Sequence, residues 1–188
     1  AYYKNLVNEF TFLNKKFNLG NHKVLPVHFF RLRPPNFPTI RLSQLSNLYH
    51  EHQNLFSKII TLENIDDYYK LLKVPASKYW NAHYTFQKES KGSSKQLSKP
   101  FIDLLLINTI LPIRFCYNKL KGDDTDIGIV KTARQIKSED NNIIDAYNKL
   151  KKVSKSSLES QALIQLKTEY CNKNNCLKCV IGNQLLSE

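Results

Sequence analysis

The sequence predicts an all-α protein, an irregular multi-helix domain that ends in a short cysteine-rich knuckle. Apolar residues recur every three or four positions through most of the chain, which is the period of an amphipathic helix. Alternation with a period of two, typical of a half-buried strand, is nearly absent, and no segment repeats. We divide the chain into a helical domain at residues 1–170, with a possible subdivision near residues 88–99, and a knuckle at residues 171–188.

In the N-terminal half, helices are predicted on both sides of a proline-rich loop. Residues 2–17 place apolar side chains on one helical face, and Gly20 offers a left-handed cap after it. Three prolines within residues 31–41 exclude a helix there and favour an ordered, extended loop. Pro38 is suited to the first turn of the next helix. Two more short helices are predicted at residues 55–60 and 65–72.

The C-terminal half starts with a Ser- and Lys-rich stretch at residues 88–99, which is typical of a surface loop. Pro100 begins the most hydrophobic helix of the chain, and Pro112 should kink it unless two helices meet there. The remaining helices are predicted at residues 127–136, at residues 143–153 and from Ser157 to Cys171. With 41% hydrophobic residues in 188, the chain can bury a sizeable core.

The charge balance is strongly basic, because 28 Lys and Arg residues face 16 acidic residues and leave a net charge of +12. Such a surface attracts polyanions, above all nucleic acid. The alternative is a chain whose lysines reflect a biased genome composition, since 23 of the 28 positive residues are Lys. The charge alone does not separate these two interpretations.

Several features bear on the compartment. No segment approaches the ~18 apolar residues of a membrane-spanning helix, and the first residues do not resemble a signal peptide, so we expect no membrane partner. The four cysteines lack the pattern of a secreted disulfide framework, so we expect a cytoplasmic protein. Because the chain lacks Met and opens within a helical pattern, we expect it to be a fragment of a longer product.

The clearest chemical signal is the cysteine cluster Cys171-x4-Cys176-x2-Cys179. A C-x2-C pair puts two thiolates on one side of a turn, which is how half-sites for zinc or iron–sulfur clusters are built. The fourth ligand would be His83, Cys116 or an exogenous group. The alternatives are free, buried thiols, or one disulfide with a spare cysteine.

The second signal is a concentration of arginine, since three of the five Arg residues lie within residues 31–41. Guanidinium groups make planar bidentate contacts with phosphate, and a proline-stiffened loop holds them in a fixed direction. The nucleic-acid-binding residues predicted on this basis, together with the lysines of the 88–99 loop, are Arg31, Arg33, Asn36, Arg41, Lys91 and Lys95. Alternatively, the arginines cap helices and pair with internal acids such as Glu9 or Asp103.

The aromatic stretch at residues 79–86 contains Trp80, His83 and Tyr84. These side chains suit base stacking, and His83 suits a metal ligand or a general base, although such residues more often belong to a core. The sequence has no phosphate-binding Gly-rich loop, no HExxH motif and no nucleophile elbow. We therefore expect no catalytic site within this chain.

Four motifs in a fixed order resemble the C-terminal part of the bacterial domain of unknown function 2851 proteins, a family common in Bacteroidetes. They are RPPNFPTIRL at residues 33–42, YWNAHY at 79–84, INTILP at 107–112, and SQALIQLKTEYC at 160–171 continuing through C-x4-C-x2-C to IG at 181–182. This resemblance spans nearly the whole chain. Cys116 does not belong to the family pattern, which weakens it as a metal ligand.

The resemblance also implies a function. Family members are about twice this long, and their N-terminal half resembles a restriction-endonuclease-like nuclease core. The chain would therefore be a helical accessory domain of a nuclease-like bacterial protein. It would bind nucleic acid through its basic surface and have the N-terminal nuclease-like domain of the same protein as a partner. The alternative is a structural or protein-interaction module with no role in nucleic-acid binding.

Overall fold

The computed structural model describes residues 1–20, 25–123 and 126–187. It confirms the all-α prediction, since helices dominate and no strand forms within these residues. Isolated β-bridges occur, for example between Pro75 and Gln96 and between Lys137 and Ser156. They are single pairings that close loops, and they do not build a sheet.

Most helices lie where the apolar pattern of the sequence predicted them, whereas the helix Val180–Leu186 falls within the predicted knuckle and was not predicted. In chain order they are α1 Tyr2–Phe17, α2 Pro38–Glu51, α3 Leu55–Thr61, α4 Ile65–Leu72, α5 Lys99–Leu105, α6 Leu111–Leu120, α7 Ile127–Gln135, α8 Asn142–Leu150, α9 Ser157–Gln165 and α10 Val180–Leu186. Short 3-10 helices form at Pro34–Asn36, Lys78–Asn81 and Cys176–Lys178, and π-helical turns at Leu106–Ile110 and Leu166–Cys171. The predicted hydrophobic helix is thus built as α5, a π-helical turn and α6.

The chain folds into two compact units. Unit 1 comprises Ala1–Lys58 and Lys70–Ser98, and unit 2 comprises Ile59–Tyr69 and Lys99–Glu188. The division therefore passes through α3 and α4, which no composition change in the sequence marks. A further boundary between the units lies between Ser98 and Lys99, at the end of the Ser- and Lys-rich stretch.

The core of unit 1 forms around Ile40, Ala76 and Trp80, which are 1%, 4% and 3% exposed. Partly buried aromatic side chains pack around these three residues, namely Tyr2, Phe37, Tyr79 and Tyr84. The aromatic stretch of the sequence is therefore mainly a packing element.

Helix α1 has the predicted apolar face but buries none of its residues completely. Tyr3 and Phe10, for instance, are 57% and 62% exposed. Asn18, and not Gly20, provides the left-handed cap, with φ 48°. Asn is the non-glycine residue that tolerates this conformation best, because its short polar side chain bonds locally.

The hydrophobic run of unit 2 is continuous from Lys99 to Leu120, and by length and composition alone it is apolar enough to cross a membrane. It buries Ile102, Leu106, Ile110 and Leu111. Its charged residues bond within unit 2. The Tyr69 hydroxyl donates to Asp103 (2.6 Å), and Arg114 donates to the Leu62 carbonyl and the Tyr68 hydroxyl. These bonds hold the run against the segment Ile59–Tyr69 of the same unit.

Pro112 lies in the first turn of α6, directly after the π-helical turn Leu106–Ile110. The Leu111 amide donates to the Leu106 carbonyl, five residues back, which is the π-helical bond. At the start of a new helical segment the missing proline N–H costs little. The structure therefore accommodates Pro112 at the start of a new helical segment, which is the second of the two arrangements that the sequence left open.

The end of unit 2 is organised by a capping box at the start of α9. The Ser156 hydroxyl accepts from the Glu159 amide, and the Glu159 carboxylate accepts from the Ser156 amide at 2.9 Å. The Ser157 hydroxyl donates to the Ala133 carbonyl at 2.6 Å, which ties α9 to α7. These bonds satisfy polar groups that would otherwise be buried without partners.

Candidate nucleic-acid interface and cysteine knuckle

The proline-rich loop of unit 1 is held by local geometry. Arg33 is extended (φ −74°, ψ 145°), as expected of a residue before proline, and Pro34 begins a single 3-10 turn. The Phe37 amide donates to the Pro34 carbonyl at 3.1 Å. The Phe37 ring packs edge-on against Phe29, with ring centroids 5.0 Å apart. Phe37 thereby anchors the loop to the aromatic core.

Arg31 and Arg33 lie exposed on this loop. Neither guanidinium has a carboxylate partner among the residues that the structure describes. Arg31 has a left-handed backbone (φ 61°), and its guanidinium lies 5.1 Å from the Phe30 ring centre. The ion pairs with internal acids that the sequence offered as an alternative do not form for these two residues.

Arg41 and Asn36 are engaged with one another. Arg41 Nη2 donates to Asn36 Oδ1 at 2.6 Å, and Nη1 donates to Gln44 Oε1 at 2.9 Å. Arg41 is half-buried, and this burial lowers its pKa from the usual range. The pair therefore clamps the loop to the first turns of α2, and both Nη groups of Arg41 already have partners inside the protein.

The two lysines predicted on the 88–99 loop have different environments. Lys91 is exposed. Lys95 is only 7% exposed, and its ammonium group donates to the carbonyls of Trp80 and Asn81, the latter at 2.8 Å. It also lies 4.2 Å from the Tyr84 ring centre, and burial lowers its pKa. This placement is at odds with a phosphate contact by Lys95, which acts instead as an internal bridge.

His83 lies in a stack of three rings. Tyr79 stacks between Tyr2 (centroids 4.0 Å apart) and His83 (4.1 Å). His83 Nδ1 is 3.0 Å from the Tyr79 carbonyl oxygen. Within the described residues no carboxylate or thiolate lies within hydrogen-bond reach of its ring, so the geometry for a general base at His83 is not present.

The cysteines lie on separate short elements of unit 2 and all have free thiols. Cys171 ends the π-helical turn Leu166–Cys171, Cys176 begins a 3-10 helix, and Cys179 directly precedes α10. Cys171 and Cys176 are exposed and Cys179 is half-exposed. Across residues 1–20, 25–123 and 126–187, no three His, Cys, Asp or Glu side chains lie close enough to hold a metal ion as they stand.

Tyr147 of α8 is a neighbour of this cluster that the sequence did not point to. Its hydroxyl lies 3.9 Å from Cys171 Sγ. Burial raises the pKa of Tyr147, and the hydrogen bond to Cys171 and the proximity of Cys171 and Cys179 raise it further. Tyr147 and Cys171 lie far apart in the sequence, so no local motif could have predicted this contact.

Residues 1–142 match a family described as Protein of unknown function (DUF2851). This range is well over half of the 188 residues. The chain belongs to the DUF2851 family. No curated protein and no solved structure matches it.

The family prediction is therefore confirmed for most of this DUF2851 chain. The matched range includes the proline-rich loop, the aromatic stretch and the hydrophobic helix. It ends before the motif at residues 160–171 and before the cysteines, whereas the sequence resemblance extended nearly to the end. The family match therefore does not extend to the cysteine knuckle.

Proposed function

We propose that this DUF2851 chain is a helical accessory domain that binds nucleic acid through the basic loops of unit 1. Arg31 and Arg33 would contact phosphates, with Lys91 as a further positive charge. The observation that carries the proposal is the free state of these two guanidinium groups, which are exposed on a proline-stiffened loop and lack a carboxylate partner among the described residues.

Charge and geometry support this proposal. Arginine forms two parallel hydrogen bonds to a phosphate, and a loop that is already ordered loses little entropy when it binds. The net charge of +12 provides the long-range attraction that brings a polyanion to the surface. Asn36 and Arg41 would hold the loop in place, and Arg31 and Arg33 would make the phosphate contacts.

An exposed aromatic ring beside the arginines favours a strand with accessible bases. Phe30 is 79% exposed and lies against the guanidinium of Arg31. Aromatic rings next to positive charge are the usual platform for unpaired bases, at about 1–3 kcal/mol per stacked base. We propose single-stranded nucleic acid as the preferred ligand on this basis.

On the family resemblance, this binding activity would belong to a longer protein. The nuclease-like core that the resemblance implies would lie in an N-terminal domain and would supply the catalytic carboxylates. In this proposal the present chain holds the nucleic acid and performs no chemistry. The setting would be the bacterial cytoplasm.

The test is fluorescence anisotropy with labelled single- and double-stranded oligonucleotides at about 50 mM salt, where counterion release favours binding most. The double variant R31A/R33A should bind at least tenfold more weakly than the unchanged chain. Its salt dependence should also be shallower, by a slope of about 1 for each phosphate that the variant no longer binds. The double variant K131A/R134A removes two exposed positive charges from unit 2 and serves as the matched control.

Two results would overturn the proposal. One is the absence of any binding at about 50 mM salt, where the electrostatic term is strong. The other is an equal loss in K131A/R134A and R31A/R33A, because that would show attraction to net charge without a site in unit 1.

A protein-interaction module is the second candidate, and one observation favours it. The apolar face of α1 is exposed over several turns, including Tyr3 and Phe10 at 57% and 62%. Exposed apolar faces of this kind often mark contact surfaces. Substituting Phe10→Glu should abolish self-association or partner binding on this interpretation, and it should leave nucleic-acid binding unchanged on the first.

A further inference from the structure

We propose that Cys171, Cys176 and Cys179 bind one zinc ion through their thiolates, with the fourth position open to water or an external ligand, and that Tyr147 positions the Cys171 sulfur by a hydrogen bond. Zinc prefers sulfur ligands and four-coordinate geometry, and sites with three protein ligands and an open position are common. The proposal concerns unit 2 and is independent of the nucleic-acid surface in unit 1.

The backbone closes both intervals between the cysteines. The Asn175 amide donates to the Tyr170 carbonyl at 3.0 Å, which brings the residues just before Cys171 and Cys176 together. The Cys179 amide donates to the Cys176 carbonyl at 3.1 Å. Because each loop is closed by a hydrogen bond, the three cysteines stay within one compact turn. A flexible tail of the same sequence would not hold them there.

A glycine in α10 keeps the third cysteine close to the second. A Cβ atom built on Gly182 would lie 2.6 Å from the Cys176 carbonyl oxygen, nearer than real Cβ atoms come to such an atom. The backbone of α10 therefore packs directly on Cys176. Asn183 of the same helix donates through Nδ2 to the Leu177 carbonyl at 3.3 Å. These contacts seat α10, and with it Cys179, against the turn that starts at Cys176.

Tyr147 supplies a contact to the first sulfur from outside the segment. Its hydroxyl is 3.9 Å from Cys171 Sγ, and it lies on α8, which packs against α9. A hydroxyl that donates to a ligating sulfur fixes the orientation of that ligand and stabilises the thiolate. Tyr147 is thus a positioning residue, and a conservative change to Phe removes only the hydroxyl.

Coordination requires the cysteine side chains to rearrange. No three metal-binding side chains of the described residues are gathered as they stand, and in this proposal rotation about χ1 brings the three sulfurs to one ion. Such rotations between staggered positions leave the backbone hydrogen bonds in place. Cys171 and Cys176 are exposed, so an ion can reach them directly.

The test is a Zn²⁺ titration of the full chain, reduced and stripped of metal by a chelator, against a chromophoric competitor. We expect one tightly bound Zn²⁺ per chain. Cys116→Ser, which removes the exposed cysteine of α6, is the matched control and should bind as the unchanged chain does. Cys176→Ser should lose the tight site, and Tyr147→Phe should weaken it by about tenfold or more.

A second measurement protects the test against variants that fail to fold. Iodoacetamide labelling of the unchanged chain, read by mass spectrometry, should show that Zn²⁺ slows alkylation of Cys171, Cys176 and Cys179 while Cys116 reacts at its former rate. Equal alkylation rates with and without Zn²⁺ would overturn the proposal. So would equal zinc affinity in the unchanged chain and Cys176→Ser, or purification of the protein with iron and sulfide in place of zinc.

Discussion

Arg31 and Arg41 show how residues of one type in one loop acquire different roles. Arg41 donates to Asn36 and Gln44 and holds the loop on α2. Arg31 has an exposed side chain and a backbone in the left-handed region, at φ 61°. For a non-glycine residue this conformation costs of order 1–3 kcal/mol and is most frequent at functional sites. The strain at Arg31 therefore agrees with the binding role proposed for it.

Lys95 carries the clearest prediction at the residue scale. Lys95→Met keeps the length of the side chain but removes the donor to the carbonyls of Trp80 and Asn81. Each carbonyl keeps a backbone donor, the His83 amide for Trp80 (3.3 Å) and the Ser93 amide for Asn81 (3.0 Å), so the variant loses the bonds from the charged group alone. A hydrogen bond to a charged group contributes about 1.5–3 kcal/mol. We expect the free energy of unfolding in urea to fall by about that amount. Lys91→Met, an exposed change in the same loop, should stay within about 0.5 kcal/mol of the unchanged chain.

A Lys95→Met variant as stable as the unchanged chain would contradict this interpretation. It would mean that the cost of burying the ammonium group equals the value of its hydrogen bonds. The lowered pKa of Lys95, caused by burial, shows that this cost exists. Because the ammonium group bonds to two carbonyls, we expect these hydrogen bonds to outweigh the cost of burying it.

At the scale of elements, α9 depends on its capping box. Glu159 accepts from the amides of Lys155 (2.6 Å) and Ser156 (2.9 Å). These two bonds lower the pKa of Glu159 below its ordinary value of 4.5, and the bond from the Lys155 amide has the larger effect. The box forms because Ser156 and Glu159 have the spacing that lets each side chain reach the backbone of the other.

This capping box leads to a prediction about pH. The folded pKa of Glu159 is depressed, so its stabilising effect is complete above the ordinary value of 4.5 and is lost as the pH falls through the folded pKa. The unfolding free energy of the unchanged chain should therefore decline as the solution is acidified below about pH 4.5. Glu159→Gln should remove this part of the decline. Glu169→Gln, an exposed carboxylate paired with Lys173, is the comparison. An unchanged acid profile in Glu159→Gln would refute the assignment.

The helices were the part of the fold that the sequence predicted best. The bounds of α1 and α4 were predicted as the structure has them, because apolar spacing and local caps are encoded within one or two turns. Two points of local geometry were missed. Asn18 took the cap expected of Gly20, and the π-helical turn before Pro112 was not predicted, since several backbone solutions satisfy the same local pattern.

For the whole molecule, the net charge of +12 has consequences beyond ligand attraction. Like charges on one surface repel and weaken the folded state, and salt screens that repulsion over about 10 Å at 0.1 M. We expect the thermal midpoint to rise between about 20 and 200 mM NaCl, by a few degrees. Scanning calorimetry in the two buffers measures this shift. A midpoint that falls with salt would indicate that attractive ion pairs outweigh the repulsion.

The sequence by itself determined the all-α class, the family, the helix positions and the basic character of the chain, because periodicity, local caps and composition do not depend on distant contacts. Only the tertiary structure decided which charged side chains remain available. It buried Lys95, engaged Arg41, left Arg31 exposed and brought Tyr147 to Cys171. These outcomes depend on packing between segments far apart in the chain, where desolvation and hydrogen bonding select among residues of the same chemical type.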